Sequence, residues 1–110
     1  MRASGDKMKP ILHLNLKKKW FDMIVSGEKK EEYRDITAYW ARRFSIAADA
    51  VIICFSNGYA KNRPQVFVEC TDLHIGIGKK EWGASGKEQF ILSLGKIHDN
   101  RHTNNREVGR

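Results

Sequence analysis

The sequence predicts a small α+β domain in which short strands outnumber two short helices. Strand-length apolar segments recur at Ile11 to Leu16, Ala50 to Phe55, Val66 to Thr71 and Gln89 to Leu94, bounded by polar or glycine-containing stretches. Between them, residues 18–25 and the stretch after Thr37 carry aromatic and aliphatic residues at helical spacing. With 110 residues, 41% of them hydrophobic and 30% charged, the chain is long enough to bury one core and too apolar to be disordered throughout.

In the first strand, alternation puts Leu12, Leu14 and Leu16 on the core face and Ile11, His13 and Asn15 on the other. His13 and Asn15 are minor ligand candidates there. The helix Lys18 to Val25 pairs Trp20 with Ile24 and Phe21 with Val25, each four apart, and Gly27 suits the left-handed residue that ends it. Lys17, Lys18 and Lys19 crowd the helix start, where the dipole disfavours positive charge; they either recruit phosphate or form a solvated face.

The run Glu28-Lys29-Lys30-Glu31-Glu32-Tyr33-Arg34 consists mostly of helix formers. A helix there has no apolar face to bury, so an extended segment is expected instead, with Lys30, Glu32 and Arg34 on one side. Thr37 then caps a short helix whose Trp40, Ala41 and Phe44 point inward while Tyr39, Arg42 and Arg43 stay accessible. In the remaining strands Val66, Val68 and Cys70 share a face, and Phe90, Leu92 and Leu94 turn inward. Gly76, Gly78, Gly83 and Gly86 mark a long connection before the last strand. The expected organisation is a flexible N-terminus at 1–8, a domain at 9–97 and a disordered basic tail at 98–110.

The charged run is the first candidate for function. On a strand, Glu32 and Arg34 lie on one face about 6–7 Å apart, and Lys29 joins them from the turn. Arg34 holds a phosphate or carboxylate bidentately, Glu32 accepts from an exocyclic amine, and Lys29 supplies a mobile cation. The alternative is an edge strand defended by charge. Spaced as Gly27-x-Lys29-x-x-Glu32-x-Arg34, between a helix and an aromatic-basic segment, the motif resembles the signature of the ASCH domain, of the PUA-like superfamily. The order of segments from Met8 to Ile97 is similar to that family as well, including Phe55-Ser56-Asn57-Gly58-Tyr59 and Glu81-Trp82-Gly83.

That resemblance implies a PUA-like, mostly antiparallel β-barrel with two short helices, and a cleft beside the barrel that receives RNA or a nucleotide-like ligand. Lys29, Glu32 and Arg34 form its binding set, with Trp40 beside them. Some small members of the family are amidohydrolases of acetylated cytidine nucleosides that use a lysine, a threonine three residues on and a distant glutamate. Lys29 fits the lysine and Glu81 the glutamate by loop position, but Glu32 stands in place of the threonine. An anion beside Lys29 raises its pKa and weakens it as a base. A hydrolase of a modified nucleoside or of RNA, with Lys29 and Glu32 as acid and base, is thus the second reading, and a protein-interaction adaptor the third.

Beyond the motif, Asn57-Gly58 is a turn signal. Tyr59 after it can stack on a base while Lys61 and Arg63 meet phosphates, or the segment is an ordinary hairpin connection. Trp82 either caps the core or lies at the cleft mouth. Gly76-Ile77-Gly78-Lys79-Lys80 lacks the spacing of a P-loop. His98 and His102 are four apart without further ligands, so neither a metal nor another cofactor is expected. Cys54 and Cys70 read as buried free thiols. The net charge of +7 favours a polyanionic partner. No apolar run approaches the roughly 18 residues of a membrane span, and a cytoplasmic location is expected.

Overall fold

The computed structural model describes residues 10–46 and 52–100. The elements follow in the order β1 (Ile11–Asn15), α1 (Lys18–Val25), β2 (Glu31–Arg34), α2 (Ala38–Ile46), β3 (Ile52–Ser56), β4 (Gln65–Ile77), a 3₁₀ turn at Lys80–Trp82, and β5 (Glu88–Asn100). One sheet joins the strands in the order β1-β3-β4-β5-β2. β1 pairs with β3 in parallel, from Ile11↔Ile52 to Asn15↔Ser56, whereas the other pairs are antiparallel. A parallel pair needs a crossover, and α1, β2 and α2 together supply it.

The sheet is curled into a half-barrel. Its edge strands are β1 and β2, which a flat sheet of this order would hold about 19 Å apart at four strand spacings. Yet the Arg34 guanidinium of β2 donates from Nη2 to the Asn15 carbonyl of β1 at 3.1 Å. Only a strongly curved sheet allows that contact. The expectation of a mostly antiparallel barrel is therefore met in part: one strand pair is parallel, and a side chain rather than a backbone ladder bridges the open seam.

Burial follows the sequence pattern closely in the strands. Leu12, Leu14 and Leu16 pack with Phe21 and Ile24 of α1, Phe44 of α2, Ile53 and Phe55 of β3, Val66 and Val68 of β4, and Leu92 of β5. Each such side chain contributes about 1.5–3 kcal/mol on full burial. Thr37 accepts the Trp40 amide at 3.2 Å and caps α2, and Phe44 meets Phe90 edge to face at 5.1 Å. Ala41, expected inward, is exposed, because α2 rests on the sheet through its two large rings, Trp40 and Phe44. Cys54 is buried and Cys70 partly so, and neither is in a disulfide.

Two boundaries differ from expectation. β4 continues to Ile77 and takes in Gly76, so the glycine-rich connection starts at Gly78. β5 continues to Asn100, so His98, Asp99 and Asn100, expected in a disordered tail, belong to the sheet; residues 1–9, 47–51 and 101–110 lie outside the described residues. The reason is the ladder itself, which runs from Val66↔Asn100 to Ile77↔Glu88. Backbone pairing satisfies these residues whatever their side chains, and hydrophobic periodicity does not register it. Register shifts between Phe67 and Asp72 absorb extra residues and bend the strand as β-bulges do.

Gly78 leads the chain out of β4 directly over Tyr33. A Cβ there would sit 2.2 Å from the Tyr33 ring, and that ring cannot swing away freely, since its hydroxyl accepts the Lys79 amide at 3.0 Å. Gly78→Ala is expected to destabilise the fold by about 1–3 kcal/mol, the usual cost of overpacking. A urea unfolding curve unchanged from that of the wild type would contradict this packing.

Candidate functional site

Glu32 is the junction of the site. The short strand β2 pairs with β5, Glu32 opposite Leu92 and Arg34 opposite Phe90, so both charged side chains project to the face on which the core lies. The Glu32 carboxylate reaches Lys29 Nζ through Oε1 at 3.2 Å. Through Oε2 it accepts from Arg34 Nε at 3.0 Å and Nη2 at 2.7 Å. A single carboxylate thus lies between two cations.

Lys29 is not the mobile cation that the sequence led us to expect. Its side chain is 1% exposed, and its ammonium donates to the Glu31 carbonyl at 2.7 Å and to the Trp82 carbonyl. With Glu32 these acceptors match its three donors. The Tyr33 and Trp20 rings lie 4.8 and 5.4 Å from the nitrogen. Burial pushes the Lys29 pKa below its ordinary 10.5, and the Glu32 carboxylate opposes that shift without cancelling it. The expected upward shift is overturned because desolvation of the ammonium outweighs the single neighbouring anion.

Beside this triad opens a cleft of about 560 Å³, within the range of about 300–1,000 Å³ common for small-ligand sites. Glu32, Arg34 and Trp40 line it, as does Trp20 of α1 and Trp82 of the 3₁₀ turn. The chain has three tryptophans, and every one of them faces this cleft. Trp40 lies 4.8 Å from the Arg34 guanidinium and 5.2 Å from that of Arg43. Asn15, Lys17, Asp35 and Gln89 also line the cleft. The buried Gln89 amide is fixed, donating to Asp35 at 2.9 Å and accepting the Ser85 amide at 3.0 Å.

A second, smaller hollow of about 320 Å³ holds Tyr59 and Arg63 together with His13, Leu14, Asn15 and Ser56. Asn57 lines neither hollow. Its amide donates to the Leu16 carbonyl at 3.0 Å and ties the turn after β3 to the end of β1. Lys61 is exposed outside both hollows. So is Glu81, on the surface of the 3₁₀ turn whose next residue, Trp82, faces the cleft. Neither Glu81 nor Lys29, its expected catalytic partner, lines the cleft.

The lysines at the start of α1 separate by role. Lys17 lines the cleft, Lys18 pairs with Asp22 at 2.6 Å, and Lys19 lies over the Trp20 ring at 4.7 Å. Sequence reasoning assigned Trp20 to the core stripe of α1 and passed over Asp35 and Gln89. The one available signal was composition, three tryptophans in a chain of 110 residues. Among the described residues no group of three or more potential metal ligands comes together, and no helix is long and apolar enough to cross a membrane. Compared with protein-family models and with characterised proteins, the chain matches none.

Lys29→Met leaves two part-buried carbonyls without this donor and removes one of the two cations that Glu32 pairs with. We expect a loss of about 3–5 kcal/mol, as for breaking other buried ion pairs, where an exposed lysine would lose almost nothing; thermal or urea denaturation measures it. The lowered pKa also fixes a pH trend. Between the depressed folded value and 10.5 the unfolded chain carries a proton at this site that the folded chain lacks, so stability from this group rises with pH. The stability gap between wild type and Lys29→Met should widen as pH climbs from 8 towards 10. A gap that narrows would show a raised pKa instead.

Proposed function

We propose that this chain is an ASCH-type, PUA-like domain that binds RNA or a nucleotide-like ligand in the cleft between α1, α2 and the 3₁₀ turn. The observation that carries the reading is the convergence of all three tryptophans on a cleft that also presents a fixed carboxylate and guanidinium. The three rings are half-buried, and the faces they leave on a polar cleft suit a flat, partly apolar ligand. A base supplies such a face, and its polar edge supplies partners for Glu32, Gln89 and Asp35.

Arg34 retains donors for this task. Nε and Nη2 are taken by Glu32 and Asn15, while Nη1 makes no protein hydrogen bond among the described residues. Held rigid by Glu32 and Trp40, it can offer Nη1 to a phosphate or a carbonyl at little entropic cost. Glu32 keeps lone pairs for an exocyclic amine, and Lys17 adds a cation on the cleft lining.

Hydrolysis has less support in the geometry. The amine of Lys29 has the lowered pKa that a base needs, but it does not line the cleft and its donors are taken by protein acceptors.

Because each tryptophan faces the cleft, a bound nucleotide should quench the intrinsic fluorescence. Trp82→Ala should weaken binding about five- to fiftyfold, the scale of one lost stacking contact. Lys17→Ala should lower the salt slope of binding by about one. Titration with the four ribonucleoside monophosphates and with a random single-stranded RNA, at two salt concentrations, measures all three. No quenching by any of them would end the proposal.

A further inference from the structure

We infer that the ligand is a single-stranded oligonucleotide rather than a free mononucleotide, held across two hollows that meet at Asn15, with Tyr59 as the stacking platform for a second base. This rests on the cleft reading above and extends it to a site outside the charged triad.

The two hollows share Asn15 in their linings and are therefore neighbours on the surface. The Asn15 side chain is clamped to the turn that follows β3, donating to the Gly58 carbonyl at 2.8 Å and accepting the Gly58 amide at 3.3 Å. Gly58 has φ +93°, a conformation that this paired clamp holds in place. The same turn is fixed again where the Asn57 amide hydrogen meets the Pro64 carbonyl at 3.0 Å. The backbone of Tyr59 is thus anchored on the cleft side by Gly58.

Tyr59 as a whole, by contrast, is 87% exposed. An anchored turn that presents an aromatic ring to water gains nothing for the core. It is the arrangement that single-strand binders use, where a sequence-tolerant stacking surface is set beside cations that track the backbone. The cations are present: Arg63 lines the same hollow, bound to Ala60 through Nη1 at 3.1 Å, and Arg43 reaches the His13 carbonyl at 2.8 Å. A mononucleotide filling the tryptophan cleft would leave all of these groups unused.

The experiment compares the best-binding ribonucleoside monophosphate with a single-stranded RNA decamer of the same base, on wild type, Tyr59→Ala, Tyr59→Phe and Arg63→Ala, by fluorescence titration. The decamer should bind wild type at least about tenfold more tightly than the monophosphate, and Tyr59→Ala should lose about five- to tenfold for the decamer alone. Tyr59→Phe should restore it, and Arg63→Ala should lower the decamer's salt slope by about one. Since Tyr59 is exposed, its variants should melt with the wild type. Equal affinity for monophosphate and decamer, or a decamer affinity indifferent to Tyr59→Ala, would overturn this inference while leaving the cleft reading intact. Failure of wild type to bind either probe would remove both.

Discussion

Everything around the cleft depends on one buried carboxylate. Glu32 holds Lys29 on one oxygen and Arg34 on the other, and each cation extends that grip to a different part of the fold. Lys29 fastens the carbonyl of Trp82, so the 3₁₀ turn is attached to β2. Arg34 fastens the carbonyl of Asn15, so the two edges of the sheet are drawn together. Buried ion pairs seldom add much net stability, because desolvation consumes most of the Coulomb energy. What this one provides is position: three segments distant in sequence are referred to the same two oxygens.

That arrangement also accounts for the residue at position 32. A neutral hydroxyl there could not neutralise two neighbouring cations away from water. With Glu32 in place, Lys29 becomes part of the scaffold and the chemistry available to the cleft shifts to Arg34 and the tryptophans. Of a charged motif that reads as one reactive surface in one dimension, Lys29 is framework, while Glu32 and Arg34 share the cleft lining with the tryptophans.

The strand and helix pattern was largely legible. Leu12, Leu14 and Leu16 alternate as a half-buried strand must, and the stripe from Trp20 to Val25 with Gly27 after it describes α1. Even Glu31–Arg34, whose residues favour helix, could be read as a strand, since a helix of such composition has nothing to bury. The ends of β4 and β5 were not legible, because their polar outer halves are held by pairing with each other. Within the site, Glu32, Arg34 and Trp40 were identified from the motif, while Trp20 and Gln89 were not: a helical aromatic looks the same in sequence whether it faces a core or a cleft.

The amino-acid sequence by itself determined the α+β class, the core faces and the adjacency of Glu32 and Arg34, because these follow from local periodicity along the chain. Tertiary structure alone decided that the edges of the sheet meet, that the Lys29 ammonium is enclosed and depressed in pKa, that Glu81 is exposed outside the cleft lining, and that the three tryptophans share one hollow. Each of those depends on how far the sheet curls and on which carbonyls close around a charge. Such long-range geometry has no counterpart in the spacing of residues.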